Sequence, residues 1–436
     1  MRIRNLLLLL FILLGGLGLH GQDTITVMQY NLLYYGNYNS GYADCNESTN
    51  NTQEKDEHIR TILNHVKPDI LTVNEFGATQ SILDNFLRHN LNIHGVDYWK
   101  TDNLVNYANS NIVNHIFYNS QKMELKRHRV IRTAVRDIDA YELYFKTSGL
   151  VAGDTIKLVC MVAHLKAGDS STDESKRRAM LQNAMDFIDE NYPNDNVLIM
   201  GDFNMYSSTE SGYRLLTQSY ANPDILFVDP LSLVNGVGYW HGRQQFAPFH
   251  TQSTRGWSDN PCHSGGGMDD RFDMILMSDE IYMGFNSLRY VNGSYTAVGN
   301  DGNHFNQSIN SGYNNTVPAE VLNALYNNSD HLPITMRIKV YGNLGVEEQS
   351  LEELQATLAP NPATDRVMVS FYNPTDSQVR FELMNLQGQI LATDASSFGQ
   401  GSHQFEMSLP DVAPGFYLIS VSQNNGWCQT LKLIKK

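Results

Sequence analysis

Positive charge is what this sequence is short of. Its 436 residues carry 31 Lys and Arg against 46 Asp and Glu, a formal net charge of -15. That deficit argues against a protein that grips nucleic acid through a broad basic face. It does not exclude an enzyme that processes phosphodiesters, because a cation site built from carboxylates is itself acidic. Cysteine is scarce too: four residues in the whole chain cannot build a small disulfide scaffold. Charged residues make up only 18% against 42% apolar, the reverse of a disordered chain, so a packed core is expected. Long hydrophobic runs are missing except for residues 6–14, which fall short of the roughly 20 residues of a membrane span. At about 150 residues per domain, the length suggests about three domains.

Arg2 and Arg4 precede that apolar run, and small, flexible residues follow it to Gly21. A positive start, a short apolar segment and a cleavable junction between Gly21 and Gln22 read as an export signal over residues 1–21, with an uncleaved anchor as the alternative. The mature chain is then expected to have no transmembrane segment. At the other end, residues 342–357 are polar and acidic and read as a linker. Beyond them, alternating runs at 366–371, 379–384, 403–407 and 415–421 are separated by turn formers such as Asn373-Pro374 and Ala413-Pro414-Gly415. This is the pattern of a small antiparallel β-sandwich.

Residues 23–341 form one long region with no Pro- or Ser-rich linker inside. Strand-like runs at 24–30, 70–73, 156–163, 197–200, 272–277 and 332–340 alternate with helical patterns. Ile59, Ile62, Leu63 and Val66 share one helical face in 56–67, and Met180, Leu181, Ala184, Phe187 and Ile188 share another in 173–190. The class is α/β. Several strands end on polar residues: Asn31, Glu75, His164 in HLKAG, Asp202 and Asn204 in GDFN, Asp330 and His331 in SDHLPI, and Asp273 in DDRFD. Each has an ordinary reading. Asn31 alone reads as a turn residue and Glu75 as a solvated strand end; Asp202 and Asn204 could cap a loop. Either histidine could be a satisfied core group. Repetition is what favours a site, since ligands in α/β sheets gather at strand ends.

Two resemblances follow from these motifs. LAPNPATDRVMVSF (358–371), MNLQGQIL (384–391), APGFYLISV (413–421) and LKLIKK (431–436) closely resemble the C-terminal sorting domain of the type IX secretion system of Bacteroidetes. That implies passage through the periplasm and type IX machinery to the outer surface or exterior. GDFN and SDHLPI, in that order after an early strand-Asn and strand-Glu, resemble the endonuclease/exonuclease/phosphatase superfamily, which includes deoxyribonuclease I, exonuclease III and neutral sphingomyelinases. The resemblance covers 23–341 and implies two packed mixed β-sheets flanked by helices in four layers, followed by the small all-β domain at 358–436.

The superfamily's roles carry over residue by residue. Asn31, Glu75 and Asp330 are expected to ligate a metal, Mg²⁺ with Mn²⁺ or Ca²⁺ as substitutes, because hard oxygen donors suit such ions. Asp202 would orient or deprotonate water, and Asn204 would donate to a phosphate oxygen. His331 would act as base or phosphate donor, with Asp273 fixing its tautomer. His164 would act as acid toward the leaving oxygen, which resembles the deoxyribonuclease I and sphingomyelinase branches. A supporting glutamate expected near 106–116 is absent; Asn111 or Asn114 stands there instead. The aromatic-GD and N-Arg pattern of the inositol phosphatases is also absent, since Met200 and Met205 flank GDFN. The glycine-rich 264–267 and asparagine-rich 300–328 stretches read as loops shaping a cleft, and Cys45 and Cys262 could pair across them. The expected function is a secreted Mg²⁺-dependent phosphodiesterase, an endonuclease binding nucleic acid weakly and non-processively as a monomer. A sphingomyelinase-like phosphodiesterase with an aromatic hairpin near Tyr239-Trp240 or 246–249 is the alternative, and an inactive surface binding protein the third reading.

Overall fold

A computed structural model describes residues 23–39, 41–146, 155–218, 220–222, 225–257, 261–341, 356–373, 375–385, 389–423 and 428–436. The expected signal segment lies outside them, as does the expected linker apart from its last two residues. The chain divides into two compact units, one up to Leu344 and one from Gly345.

Two sheets organise the first unit. One contains β1 (Asp23–Tyr35), β2 (Ile70–Gly77), β3 (Trp99–Lys100), β4 (Ile112–Asn119), β11 (Leu288–Tyr290), β12 (Thr296–Ala297) and β13 (Ile334–Val340). Its order is β11-β13-β1-β2-β4-β3, with β12 also on β13. The other contains β5 (Met123–Ile131), β6 (Ile138–Phe145), β7 (Lys157–His164), β8 (Val197–Asp202), β9 (Phe227–Val228) and β10 (Asp273–Ser278), in the order β5-β6-β7-β8-β10-β9. β1 and β2 run parallel, as do β7 and β8.

The period of two in the strands decides which layer each side chain joins. In β7, Leu158, Cys160 and Val162 enter the core between the sheets, where Ile25, Val27 and Ile70 meet them. Val159, Met161 and Ala163 face the other way, under Met180, Leu181 and Ile188 of α3 (Ser171–Asn191) and Tyr213 of α4 (Ser211–Thr217). Met28, Tyr30, Leu71 and Val73 pack beneath α1 (Thr52–Val66), α2 (Gln80–Phe86) and α6 (Ala319–Asn328). The result is helix, sheet, sheet, helix, the four layers expected. Strands buried on both faces read as continuous apolar runs, and each wholly buried Leu, Ile, Val or Met contributes about 1.5–3 kcal/mol.

Some elements depart from expectation. α1 starts at Thr52 rather than 56, because the Asn51 side chain caps it by accepting from Gln53 N and Glu54 N. It stops as expected before Pro68, with Lys67 left-handed at φ 51 and its N–H on Leu63 O. β4, β5 and β6 were not legible: β4 is buried throughout yet carries Asn114 and His115, and β5 is strongly charged. The asparagine-rich 300–328 stretch is an ordered loop that ends in α6. Its Asn300 Nδ2 donates to Ala247 O and His250 O, and its Asn314 Nδ2 to Gly299 O and Ile309 O.

The second unit pairs two antiparallel sheets. β14 (Thr357–Ala359), β15 (Arg366–Asn373) and β18 (Gly401–Ser408) form one. β17 (Ile390–Phe398), β16 (Ser377–Met384), β19 (Gly415–Gln423) and β20 (Cys428–Lys435) form the other. Val367, Val369 and Phe371 meet Phe381, Ile419 and Val421 in its core. The polar β17 was not anticipated.

Candidate active site

Asn31 and Glu75 sit where β1 and β2 lose regular register. Pairing runs to Asn31 with Asn74 and resumes only at Tyr35 with Phe76. β2 shifts against β4 at the same place, between Val73 and Phe76. Regular alternation would turn Glu75 onto the helix-covered face with Leu71 and Val73. Instead Glu75 takes φ 53, and Leu33 and Tyr34 take φ 43 and 52. Left-handed backbone at such residues costs about 1–2 kcal/mol each. In return Glu75 Oε1 accepts from Asn31 Nδ2 at 3.1 Å and Oε2 accepts from Tyr34 N at 3.2 Å.

The parallel pair β7 and β8 supplies the opposite wall. Their last register pair is His164 with Asp202, and His164 Nε2 lies 3.5 Å from Asp202 Oδ2 and 3.9 Å from Glu75 Oε1. Gly201 makes that approach feasible: at φ 146, a Cβ there would fall 1.7 Å from Ala163 O. Asp202 Oδ2 accepts from Asn31 Nδ2 at 2.9 Å, which joins the two sheets, and Oδ1 accepts from Asn204 N at 3.0 Å. Asn204 stands at φ 50 and donates from Nδ2 to Leu165 O at 3.3 Å.

The third wall comes from the ends of β10 and β13. His331 Nδ1 lies 2.7 Å from Asp273 Oδ2, and its Nε2 faces Asp202 Oδ2 at 3.8 Å and Asn31 Nδ2 at 3.4 Å. Gln252 Nε2 donates to Asp330 Oδ2 at 3.0 Å and lies 3.1 Å from His331 Nε2. Ser329 Oγ donates to Asn31 O at 2.7 Å and accepts from His331 N at 3.1 Å. Eight expected residues thus converge from six strand ends and their flanking turns.

The electrostatics divide the two histidines. Burial opposes the His331 cation, but Asp273, Asp330 and Asp202 outweigh it and hold its pKa well above the ordinary value. Burial, then the Arg136 and His331 cations, keep His164 neutral. Burial, with Asp273 and Glu75 adding repulsion, pushes the Asp202 carboxyl up to about 7. Burial and Asp330 raise Glu75. Carboxyls forced upward by burial and by one another are sites where a cation can take the place of a proton. Glu75, His164 and Asp202 offer ligand atoms that all lie within 4.8 Å of one another, and Asp273 Oδ1 and Asp330 Oδ1 are buried without a hydrogen-bond partner. Two hard oxygens and an imidazole fit a divalent ion.

This geometry differs in detail from the expected metal set. Asp330 stands beside His331 rather than in the close group, and His164 takes its place. The Asn31 amide is turned with Nδ2 toward the carboxylates while Oδ1 accepts from Leu33 N at 3.0 Å. Neither asparagine supports His164, whose Nδ1 is buried without a partner. Asn114 donates to Asp137 O and Val162 O, and Asn111 to Asn39 O. Lys166 pairs with Asp173 at 3.2 Å. Cys45 and Cys262 do form a disulfide, and Cys160 is buried and free.

Sequence reasoning missed three residues. Asn74 Oδ1 accepts from Asp202 N at 2.8 Å while its Nδ2 donates to Asn114 Oδ1 at 2.8 Å, clasping the sheets. Arg136 Nε donates to His164 O at 3.0 Å, and its charge faces Glu75 and Asp202. Gln252 bonds Asp330. Only Asn74 carried a signal, as a polar residue turned inward beside Glu75; Arg136 and Gln252 lie in segments with no period to read.

Residues 28–294 match the endonuclease/exonuclease/phosphatase family and residues 357–436 match the secretion system C-terminal sorting domain. The chain is similar to solved structures at low identity. Humanized D. rerio TDP2 is 12% identical, with 72% of this chain and 98% of that chain covered and a TM-score of 0.45. The catalytic domain of human Nocturnin with bound sulfate is 15% identical, at 73% and 97% coverage and 0.43. An endonuclease/exonuclease/phosphatase family protein from Bacteroides thetaiotaomicron is 13% identical, at 73% and 99% coverage and 0.41. Comparison with curated proteins returned no match. Among the described residues no helix is long and apolar enough to cross a membrane. The sorting domain directs type IX secretion to the cell surface or extracellular space. The chain belongs to the endonuclease/exonuclease/phosphatase family of hydrolases.

Proposed function

We propose that the protein is a secreted, Mg²⁺-dependent phosphodiesterase that cuts nucleic acid internally, exported by a cleavable signal over 1–21. The observation that carries this reading is the buried meeting of Glu75, His164 and Asp202 opposite the His331–Asp273 pair. A phosphodiester resists attack because its negative charge repels nucleophiles, so an enzyme must neutralise charge, activate water and stabilise the leaving oxygen. Glu75, Asp202 and His164 would hold the ion, with Asn31 able to add oxygen by rotating its amide. When bound, the ion supplies charge neutralisation at the phosphate. Mg²⁺ suits the carboxylates, and Mn²⁺ or Ca²⁺ substitutes; the imidazole favours Mn²⁺ over Ca²⁺.

The chain's own residues do the rest. Asp202, fixed by Asn31 Nδ2 and Asn204 N, orients the attacking water. His331 holds its proton at neutral pH and presents Nε2 to a phosphate or leaving oxygen, with Asp273 fixing Nδ1. The phosphate-donor role is one of the two expected for His331; the leaving-oxygen role passes to it from His164, because His164 is kept neutral. Asn204 orients Asp202 through its backbone N–H and retains a second Nδ2 hydrogen for phosphate. The net charge of -15 supports modest, non-processive binding. A phospholipid-directed enzyme would need an exposed apolar hairpin; of the candidates Tyr239 is exposed, but Trp240 and Phe246 are buried and Trp240 Nε1 donates to Met205 O at 2.7 Å.

Incubation of purified protein with plasmid DNA and with RNA, in Mg²⁺ or EDTA, tests the reading. Metal-dependent cleavage is expected, and its loss in His331→Ala with the fold retained. No cleavage of either polymer, or release of phosphocholine from sphingomyelin instead, would overturn it.

A further inference from the structure

Two buried cations lie outside the set described above. Lys55, on the first turn of α1, donates from Nζ to Asn328 O at 2.5 Å, Asn50 Oδ1 at 3.0 Å and Leu33 O at 3.2 Å. Arg255 donates from Nε to Tyr326 O at 2.9 Å, from Nη2 to Asn327 O at 2.8 Å and from Nη1 to Ser264 Oγ at 2.8 Å. Both are more than nine-tenths buried. Among the described residues neither has a carboxylate within salt-bridge distance, which is a costly arrangement for a cation unless it serves something else.

Their shared target explains it. Tyr326, Asn327 and Asn328 are the last three residues of α6. A helix end exposes carbonyls with no partner and concentrates negative potential there, so cations satisfy both the hydrogen bonds and the dipole. The next residues are Ser329, Asp330 and His331. Thr254, beside Arg255, donates from N to Asp330 O at 2.8 Å and from Oγ1 to Ser329 O at 2.6 Å. Lys55 also reaches Leu33 O, two residues past Asn31, so one ammonium ties the end of β1 to the end of α6.

We propose that Lys55 and Arg255 are positioning residues: together they clamp the α6 terminus against the end of β1 and so set where Asp330 and His331 stand relative to Asn31. Arg255 also brings a positive charge near Asp330. Burial and Arg255 push the Lys55 ammonium down to about 7, while the nearby Asp330 and Glu75 act in the opposite direction. This inference rests on Asp330 and His331 belonging to the active site.

The test compares the full chain with Lys55→Met, Lys55→Arg, Arg255→Met and Arg255→Lys. Two readouts are taken: metal-dependent hydrolysis of bis(4-nitrophenyl) phosphate, and the downfield proton resonance of His331 Nδ1 bonded to Asp273. A clamp predicts that Lys55→Met lowers kcat by about tenfold or more with KM within about twofold, since sub-ångström misplacement costs turnover more than binding. It also predicts that the His331 resonance shifts, and that Lys55→Arg restores both. If Lys55→Met does not fold, Arg255→Lys decides alone, with the same shift in resonance expected. An unchanged resonance in folded variants overturns the proposal, as does a fall in melting temperature with kcat unaltered. A wild-type protein that shows the resonance yet hydrolyses no phosphodiester defeats the functional reading, while the clamp is still decided by the resonance.

Discussion

Asp273→Asn is the sharpest probe of the site. Asp273 Oδ2 lies 2.7 Å from His331 Nδ1, with both side chains buried. Asparagine keeps the shape and removes the charge. A hydrogen bond to a charged group is worth about 1.5–3 kcal/mol, and each 1.36 kcal/mol is a factor of ten in rate. Loss of the bond between imidazolium and carboxylate should therefore lower kcat by about 10- to 100-fold, with KM little changed. Stability is subject to two opposing effects. Asp273 Oδ1 has no partner, and the Asp273 charge raises the Asp202 carboxyl. Neutralising it relieves that repulsion but also removes the partner of the buried His331 cation, so the two effects oppose each other and the melting temperature of metal-free protein should change little while turnover falls. Steady-state kinetics on a chromogenic phosphodiester and thermal unfolding on the same sample measure both. A variant within about threefold of wild-type kcat would refute the assignment of His331 as the group that carries the proton. A large loss of stability alongside activity would show instead that Asp273 holds the fold.

Gly201→Ala should remove most activity and destabilise the fold by about 2 kcal/mol or more, because a Cβ 1.7 Å from Ala163 O must push β8 off β7 at the His164–Asp202 pair; a stable, fully active variant in urea unfolding would contradict this. Metal binding should strengthen as pH rises and level off near 7. The Asp202 carboxyl sits near 7 in the fold against an ordinary 3.8, so the native state retains a proton that the unfolded chain has released. Metal-free stability should accordingly fall as pH rises through that window, and metal should reverse the loss. Calorimetric titration with Mg²⁺ or Mn²⁺ between about pH 5 and about pH 8 checks it, and a flat affinity would count against it. Reduction of Cys45–Cys262, which spans 217 residues, should lower stability by about 5 kcal/mol on a chain-entropy basis. Because the bridge packs against Leu33 and Tyr34, beside the Glu75 bulge, activity should fall with it; unfolding in dithiothreitol against a Cys45→Ser/Cys262→Ser double variant reads both.

Much of the architecture was legible along the chain. Buried strands such as β7 and β8 are continuous apolar runs, and α3 shows its inner face at helical spacing, so period alone placed them. β4 and β5 hid because their polar residues are satisfied by distant partners: Asn114 by Asn74 and Asp137, and His128 of β5 by Asp102 and Asp139. No local pattern distinguishes a satisfied buried asparagine from an exposed one.

The site divides in the same way. Polar residues at the ends of apolar strands, leaving or entering them, singled out the eight side chains, because a strand end is set by local sequence and its direction by the sheet. Which of them share a cation, and which histidine keeps a proton, depends on burial and on charges brought from far along the chain. His331 is separated by 58 residues from Asp273 and by 300 from Asn31. Register shifts in β1 and β2, which spacing does not encode, set where Asn31 and Glu75 stand relative to His164 and Asp202. The sequence by itself determined the layers, the exported character and the inventory of reactive groups. The tertiary structure alone decided their distances and protonation, since electrostatic energy in a buried site depends on separation in space and on exclusion of water.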